Sequence, residues 1–204
     1  MNRFKCMEIL NNFLTGDELV VISLGEMVDE WYTVRPGDGN LFVGALGCNT
    51  GVAIGLACAL PHRKVICLDS DGSMLLDLGC LPVLGNERPP NLTVIVWDNE
   101  SYGSLYTDPP LPTSTRKNVD LAKMAAGAGV LQSITVRSYD QFEERIKSAL
   151  NHNELNVIVV KHDMSPPERE LNRKRTDGVE DKFNFLRYIE RSENIQIKGP
   201  CPQL

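Results

Sequence analysis

An α/β fold, doubly wound around a mostly parallel sheet with helices on both faces, is the class this sequence predicts. Three observations carry it. Short apolar runs alternate with amphipathic or small-residue stretches through residues 1–160, the order expected of strands joined by helical crossovers. The runs lack a polar face, as strands buried on both sides do. Two of them end in polar, glycine-containing segments, Asp69-Ser70-Asp71-Gly72-Ser73 and Asp98-Asn99-Glu100-Ser101-Tyr102-Gly103. Ligands in such sheets bind beyond the carboxyl ends of the strands.

Residues 3–14 carry Phe4, Met7, Ile9, Leu10, Phe13 and Leu14 at mixed spacings of three and four, so they predict a helix. Gly16-Asp17 ends it, and Leu19 to Leu24 reads as a short buried strand. A helix starts at Met27, and the turn cluster Arg35 to Asn40 leads into a brief strand, Leu41 to Val43. Gly37-Asp38-Gly39-Asn40 precedes that strand rather than following one, so it is read as a turn and not a nucleotide loop. Gly44 to Leu60 is rich in Gly and Ala, with Gly47, Gly51 and Gly55 at intervals of four. Close packing of a core helix accounts for Gly55 and Gly51. It accounts less well for Gly44 and Gly47, which lie in the turn before the helix.

Lys64 to Leu68 predicts a buried strand ending at Asp69, and Ser73 to Leu84 one helix broken before Gly85. Leu92 to Trp97 is the next buried strand. Residues 103–118, with three prolines, form a loop long enough to expect a function. A helix over Val119–Ala128, a strand over Ser133–Val136, a helix over Tyr139–Leu150 and a strand over Asn156–Val160 complete the domain, residues 1–160. Residues 161–204 are a charged extension. There Phe183, Phe185, Leu186, Tyr188 and Ile189 suit a final amphipathic helix, and the run Glu168 to Arg175 a solvated helix or flexible tail.

With 204 residues and 42% hydrophobic content, the chain supports one domain and an appendage. Its net charge of -6 argues against a nucleic-acid-binding face. No apolar run approaches the ~18 residues of a membrane span. The six cysteines form no Cys-x-x-Cys pair, and Cys58, Cys67 and Cys80 sit in apolar segments. Buried free thiols and a cytoplasmic location are therefore expected. His62, His152 and His162 are read as surface or capping residues.

The two strand-end segments carry the chemistry. Asp71 and Asn99 follow adjacent buried strands, where a carboxylate and a neutral amide oxygen can share one hard cation. The backbone carbonyl of Ser101 offers a third oxygen. Gly72 allows a diphosphate close to the backbone, and the amide and hydroxyl of Ser73 can bond a phosphate oxygen at a helix start. Taken alone, Asp71-Gly72-Ser73 is also an ordinary turn with a helix cap, and Asp98-Asn99 a polar turn.

Ser70-Asp71-Gly72-Ser73, followed after 25 residues by Asp98-Asn99 and then Tyr102-Gly103, resembles the signature of thiamine-diphosphate-dependent decarboxylases. Gly44-Ala45-Leu46-Gly47 resembles that family's segment beneath the cofactor's pyrimidine. Within the family, Ala45 to Gly47, Asp69 to Leu81 and Asp98 to Ser104 are similar to the cofactor-binding subunit of sulfopyruvate decarboxylase and the matching half of phosphonopyruvate decarboxylase. The likeness covers residues 3–160.

The resemblance implies a thiamine-diphosphate-binding fold and roles at matching positions. Asp71, Asn99 and the Ser101 carbonyl would hold Mg2+. Gly72 and Ser73 would contact the diphosphate, and Tyr102 and Gly103 would complete the cofactor-binding turn. Gly44 and Ala45 would underlie the pyrimidine, with the Gly44 carbonyl on its amino group. Leu46 would be the catalytic wedge that keeps the cofactor bent. Ser70 and Asp98 depart from the signature's first glycine and first asparagine, and Gly25 to Asp29 is unexpectedly acidic beside a diphosphate.

The family's catalytic glutamate comes from a pyrimidine-binding domain for which this chain has no room. The resemblance therefore implies a partner subunit, most simply in an α2β2 assembly, with the tail and the 103–118 loop as candidate contacts. The implied reaction is non-oxidative decarboxylation of a 2-oxoacid, carrying a sulfonate or phosphonate by resemblance, with acyloin-forming carboligation as the chemical alternative. Two other readings stay open at this point: a Mg-dependent phosphatase using Asp69 and Asp71, and a catalytically degenerate scaffold.

Overall fold

A computed structural model describes residues 1–103, 111–175 and 177–197. Its six strands are β1 (Leu19–Ser23), β2 (Asn40–Val43), β3 (Val65–Ser70), β4 (Leu92–Asp98), β5 (Gln132–Val136) and β6 (Asn156–Lys161). They form one sheet in the order β2-β1-β3-β4-β6-β5, with every pairing parallel. The chain runs outward from β1 to β2, then returns to place β3 on β1's other side. That reversal opens a crevice above β1 and β3.

Alternation along the strands supplies both faces. Leu19, Val21, Val65, Cys67, Val94, Val96, Val157 and Val159 face one layer, and Val20, Ile22, Ile66, Leu68, Ile95, Trp97, Ile158 and Val160 the other. The first layer holds α3 (Asn49–Ala59), α4 (Asp71–Leu76), α5 (Cys80–Glu87), α6 (Leu121–Gly127) and α8 (Gly178–Glu193). The second holds α1 (Arg3–Asn11), α2 (Met27–Val34) and α7 (Tyr139–Asn151). Because both sides are covered, the strands read as continuous apolar runs in the sequence.

Several expectations need correction. The helix expected over Ser73–Leu84 is two helices, separated at Asp77-Leu78-Gly79. Leu78 turns into the core at this break, and the Cys80 N–H bonds the Asp77 carbonyl at 3.3 Å. Gly85 does not end the second helix. A Cβ there would lie 1.7 Å from the Ala128 carbonyl oxygen, so the glycine is what lets α5 meet the end of α6.

Gly51 and Gly55 do not pack into the core. Added Cβ atoms would meet open space at both, because α3 turns Ala53, Ile54 and Ala57 inward instead. Cys58 lies on the same outward face and is exposed, whereas Cys6, Cys67 and Cys80 are buried free thiols.

The run Glu168 to Arg175 is not a helix. It is tied across α2, with the Asn172 N–H on Thr33 Oγ1 at 2.8 Å and the Lys174 N–H on Asp29 Oδ1 at 2.8 Å. The final helix forms as expected, and Phe185 and Ile189 of α8 join the first-layer core. His62 and His152 are exposed, as expected. His162 is half-buried rather than fully at the surface: its Nε2 is buried and its ring stands edge-on to Trp97. No described helix is long and apolar enough to cross a membrane.

Candidate functional site

The crevice above β1, β3 and β4 is a cavity of 160 Å³ bordered by Leu46, Asp71, Gly72, Ser73, Asn99 and Ser101, with Arg3, Glu26 and His162 at its other end. Asp71 is the first residue of α4. Ser70 caps that helix, its Oγ accepting the Ser73 N–H at 3.2 Å. This explains a serine where the family signature has glycine: the hydroxyl satisfies an amide that the helix leaves open.

Asp71 is fully buried. Its Oδ2 accepts from Thr113 Oγ1 at 2.7 Å and Thr115 Oγ1 at 3.3 Å, while its Oδ1 is buried without a partner among the described residues. Burial, reinforced by the charge of Asp98, pushes the Asp71 carboxyl up to about 6 against the two threonine hydrogen bonds. Proton counting agrees. Thr113–Asp71 at 2.7 Å, Thr113–Thr115 at 2.8 Å and Thr115–Asp98 at 2.7 Å are three short contacts served by two hydroxyl protons. The cluster is therefore one proton short when both carboxylates are ionised.

Asp98, the other departure from the signature, has its own counter-ion. Lys161 at the end of β6 reaches Asp98 Oδ2 at 2.7 Å and Glu100 at 2.9 Å. Burial opposes the Lys161 charge, but those two carboxylates hold its ammonium above the ordinary range. Glu100 adopts a left-handed φ of 62°. This bend lets Asn99 Oδ1 accept the Ser101 N–H at 3.1 Å, and Asn99 Nδ2 donates to the Gly103 carbonyl at 3.3 Å. Asn99 Oδ1 keeps a second lone pair. Ser101 bridges Pro112 through its neighbours: Tyr102 N–H bonds Leu111 O and Thr113 N–H bonds Glu100 O. The backbone groups of Ser101 itself thus face the opposite edge.

Gly72 cannot be replaced freely, because a Cβ would stand 2.8 Å from the Tyr102 ring. Ser73 is buried, and its Oγ accepts the Gly47 N–H at 3.0 Å. Both groups expected to meet a phosphate, the Ser73 amide and hydroxyl, therefore have partners within the chain. Gly47 itself has a φ of +81°, so the glycine-rich turn is locked onto the start of α4. Leu46, at the tip of that turn, is 45% exposed and borders the cavity. Ala45 is exposed beside it. Gly44 borders a neighbouring cavity of 210 Å³, which shares Leu24 and Gly25 with the first.

Asp69 is not in the cavity. Its position in β3 points it beneath α3, where Oδ2 accepts from Thr50 Oγ1 at 2.7 Å and Oδ1 from the Ser70 N–H at 2.9 Å. Burial raises its carboxyl above the usual range. A buried, doubly bonded carboxylate has no access to a phosphoryl group, which removes the phosphatase reading. The acidic segment at the start of α2 is balanced by Arg3, bound to Glu30 at 2.6 and 3.0 Å and within 3.8 Å of Glu26. Burial, then the charge of Arg3, depresses the His162 imidazole to about 3.

Among the described residues no group of three or more His, Cys, Asp or Glu is placed to hold a metal. Asp71, Asn99 and Ser101, which line the cavity together, instead offer a carboxylate, an amide and a peptide group. Such a set suits a hard cation that takes its remaining oxygens from a phosphate ligand and water, and the unpartnered Asp71 Oδ1 fits it. Sequence reasoning missed Thr113, Thr115, Arg3, Lys161 and His162, because no local pattern marks them.

Residues 29–160 match the family model described as thiamine pyrophosphate enzyme, C-terminal TPP binding domain. The chain is 34% identical over 176 residues to sulfopyruvate decarboxylase subunit beta of Methanocaldococcus jannaschii, covering 86% of this chain and 90% of that one. It is 33% identical to phosphonopyruvate decarboxylase of Streptomyces viridochromogenes, covering 72% of this chain and 36% of that one. The crystal structure of benzoylformate decarboxylase from Polynucleobacter necessarius superposes with a TM-score of 0.68 at 19% identity, covering 85% of this chain and 34% of that one. The first relative is thus matched nearly end to end, and the other two over about a third of their length. This chain belongs to the thiamine pyrophosphate enzyme family, as a C-terminal TPP-binding domain.

Proposed function

We propose that this chain is the cofactor-binding subunit of a split thiamine-diphosphate enzyme that decarboxylates a 2-oxoacid and is active only with a pyrimidine-binding partner. The observation that carries the reading is the buried, unpartnered Asp71 Oδ1 beside Asn99 and Ser101. The relatives' lengths support the division of labour. The chain matches 90% of a protein named as a subunit but only 36% of a phosphonopyruvate decarboxylase. A sulfonate- or phosphonate-bearing 2-oxoacid is the substrate class those relatives' names suggest.

In this reading Asp71, Asn99 and the Ser101 carbonyl hold Mg2+. Gly72 and Ser73 lie against the diphosphate, Tyr102 and Gly103 close the turn around it, and Gly44, Ala45 and Leu46 support the pyrimidine. The cofactor supplies an electron sink for the carbanion left when carbon dioxide departs. The chain's own residues bind and orient it: Asp71 neutralises the cation, and the turn holding Leu46 is fixed by the Gly47–Ser73 hydrogen bond. The partner covers the exposed Leu46 and excludes water. A cytoplasmic location fits this assignment.

The test is carbon dioxide release from sulfopyruvate, phosphonopyruvate and pyruvate by this chain, by its partner and by the two co-purified. Release from at least one of them is expected only from the pair with thiamine diphosphate and Mg2+. Equal release by this chain alone would sink the split-enzyme reading. Leu46→Ala in the assembled enzyme is expected to retain cofactor but lower kcat by roughly tenfold or more, since positioning rather than affinity is lost; an unchanged kcat would contradict the role given to Leu46.

A pH dependence follows from Asp71. Its carboxyl, raised to about 6 without a cation, lies above the unfolded value of about 4. Its contribution to cation-free stability is thus fully present below pH ~4 and lost as pH rises through about 6. Cation binding has the opposite sign, because it needs the carboxylate. Magnesium affinity of the assembled enzyme is expected to fall by about tenfold per pH unit below 6. Calorimetry at pH 5 and 7.5 checks this, and equal affinities would refute it.

A further inference from the structure

We infer that Thr113 and Thr115 are positioning residues for the cation. They hold Asp71 Oδ2 and so present Oδ1 to the metal, tying the cation to docking of the 111–116 segment. This rests on the cation site proposed above. None of the sequence motifs includes the two threonines, which lie 42 and 44 residues from Asp71 in the chain.

The local structure explains how they reach it. The Ser101–Pro112 bridge and the Thr113 N–H bond to Glu100 O fix residues 111–113 against the 99–103 turn. A short 3-10 turn, Ser114–Arg116, follows at once. Thr113 and Thr115 stand two residues apart, and both hydroxyls enter the same buried cluster. Thr113 donates to Asp71 Oδ2 at 2.7 Å, and Thr115 to Asp98 Oδ1 at 2.7 Å, while the two hydroxyls touch at 2.8 Å. Lys161 anchors the far end through Asp98 at 2.7 Å, and also donates to the Thr115 carbonyl at 3.5 Å.

Two consequences follow from this connectivity. First, a carboxylate held on one oxygen by a hydroxyl cannot swing away from the cavity, so Oδ1 stays directed by geometry rather than by the metal. Second, Ser101 and the two threonines lie on segments joined by the Ser101–Pro112 bridge. A cation gripping Asp71 and Ser101 therefore also fastens the 111–116 segment, and loosening that segment weakens both.

The experiment measures thiamine diphosphate binding to the assembled enzyme as a function of magnesium concentration, in wild type, Thr113→Val, Thr113→Ser, Thr115→Val and Asp71→Asn. Thr113→Val keeps the shape and removes the hydroxyl. It is expected to raise the half-saturating magnesium concentration roughly tenfold, as the loss of a hydrogen bond to a charged group would. Cofactor affinity at saturating magnesium stays within about twofold, a split that a general packing defect does not produce. Thr113→Ser restores the wild-type requirement to within about threefold, because the donor returns. Thr115→Val, whose contact with Asp71 is longer at 3.3 Å, raises the requirement less, and it reads the same network should Thr113→Val fail to fold. An unchanged magnesium requirement in both valine variants, with Asp71→Asn impaired, overturns this inference alone. An unchanged requirement in Asp71→Asn overturns the cation site and the inference with it.

Discussion

Asp71→Ala is expected to abolish magnesium-dependent cofactor binding, with a loss of roughly 100-fold or more in affinity for thiamine diphosphate. The reason is charge. The proposed site has one carboxylate, fully buried, and its other two oxygens are neutral. Without Asp71 the remaining proposed ligands, Asn99 and the Ser101 carbonyl, are neutral and cannot offset the dehydration of a divalent ion. The protein itself is expected to remain folded. Removing a buried carboxylate relieves its desolvation, which offsets the lost bonds from Thr113 and Thr115. A folded variant with normal cofactor affinity would remove the site from consideration. Asn99→Ala is expected to act in the same direction and also to loosen the 99–103 turn, since Asn99 bonds both Ser101 and Gly103.

Gly85→Ala is expected to produce the largest loss of stability. Its Cβ would fall 1.7 Å from Ala128 O and 2.7 Å from Ala128 C. Both are backbone atoms, so no rotamer change relieves the overlap, and α5 must move away from the end of α6. Overpacking of this kind costs about 3 kcal/mol, well above the ~1 kcal/mol that alanine gains over glycine in a helix. In a domain of this size that is a drop in Tm of roughly 6–12 °C, measurable by calorimetry. A melting temperature equal to wild type would mean that the two helices do not meet as described.

The same glycine marks the boundary of what the sequence reveals. Strands were legible because burial on both faces leaves an unbroken apolar run, and each of the six was found within about two residues. The crevice was legible because it lies where two such runs end, at Asp71 and Asn99. Gly85 was misread as a break because its local propensity favours one, whereas the close approach of Ala128 is a contact across 43 residues. Gly51 and Gly55 were misread for the converse reason: their regular spacing suggests packing, but the face they share is turned outward. Ser70 and Asp98 looked like blemishes in a signature. Their roles, a helix cap and an ion pair with Lys161, appear only when the partners are in place. Thr113 and Thr115 carried no signal of their own beyond the length of the loop that holds them, since a hydroxyl in a loop acquires meaning only from what it touches.

The central claim, a shared cofactor site completed by a second polypeptide, is tested most directly by calorimetric titration. Thiamine diphosphate with magnesium is titrated into this chain alone and then into the chain assembled with its pyrimidine-binding partner. The account predicts little or no binding to the chain alone and tight, magnesium-dependent binding to the assembly, lost in Asp71→Ala. Equal tight binding without the partner, or no binding in either state, would contradict it.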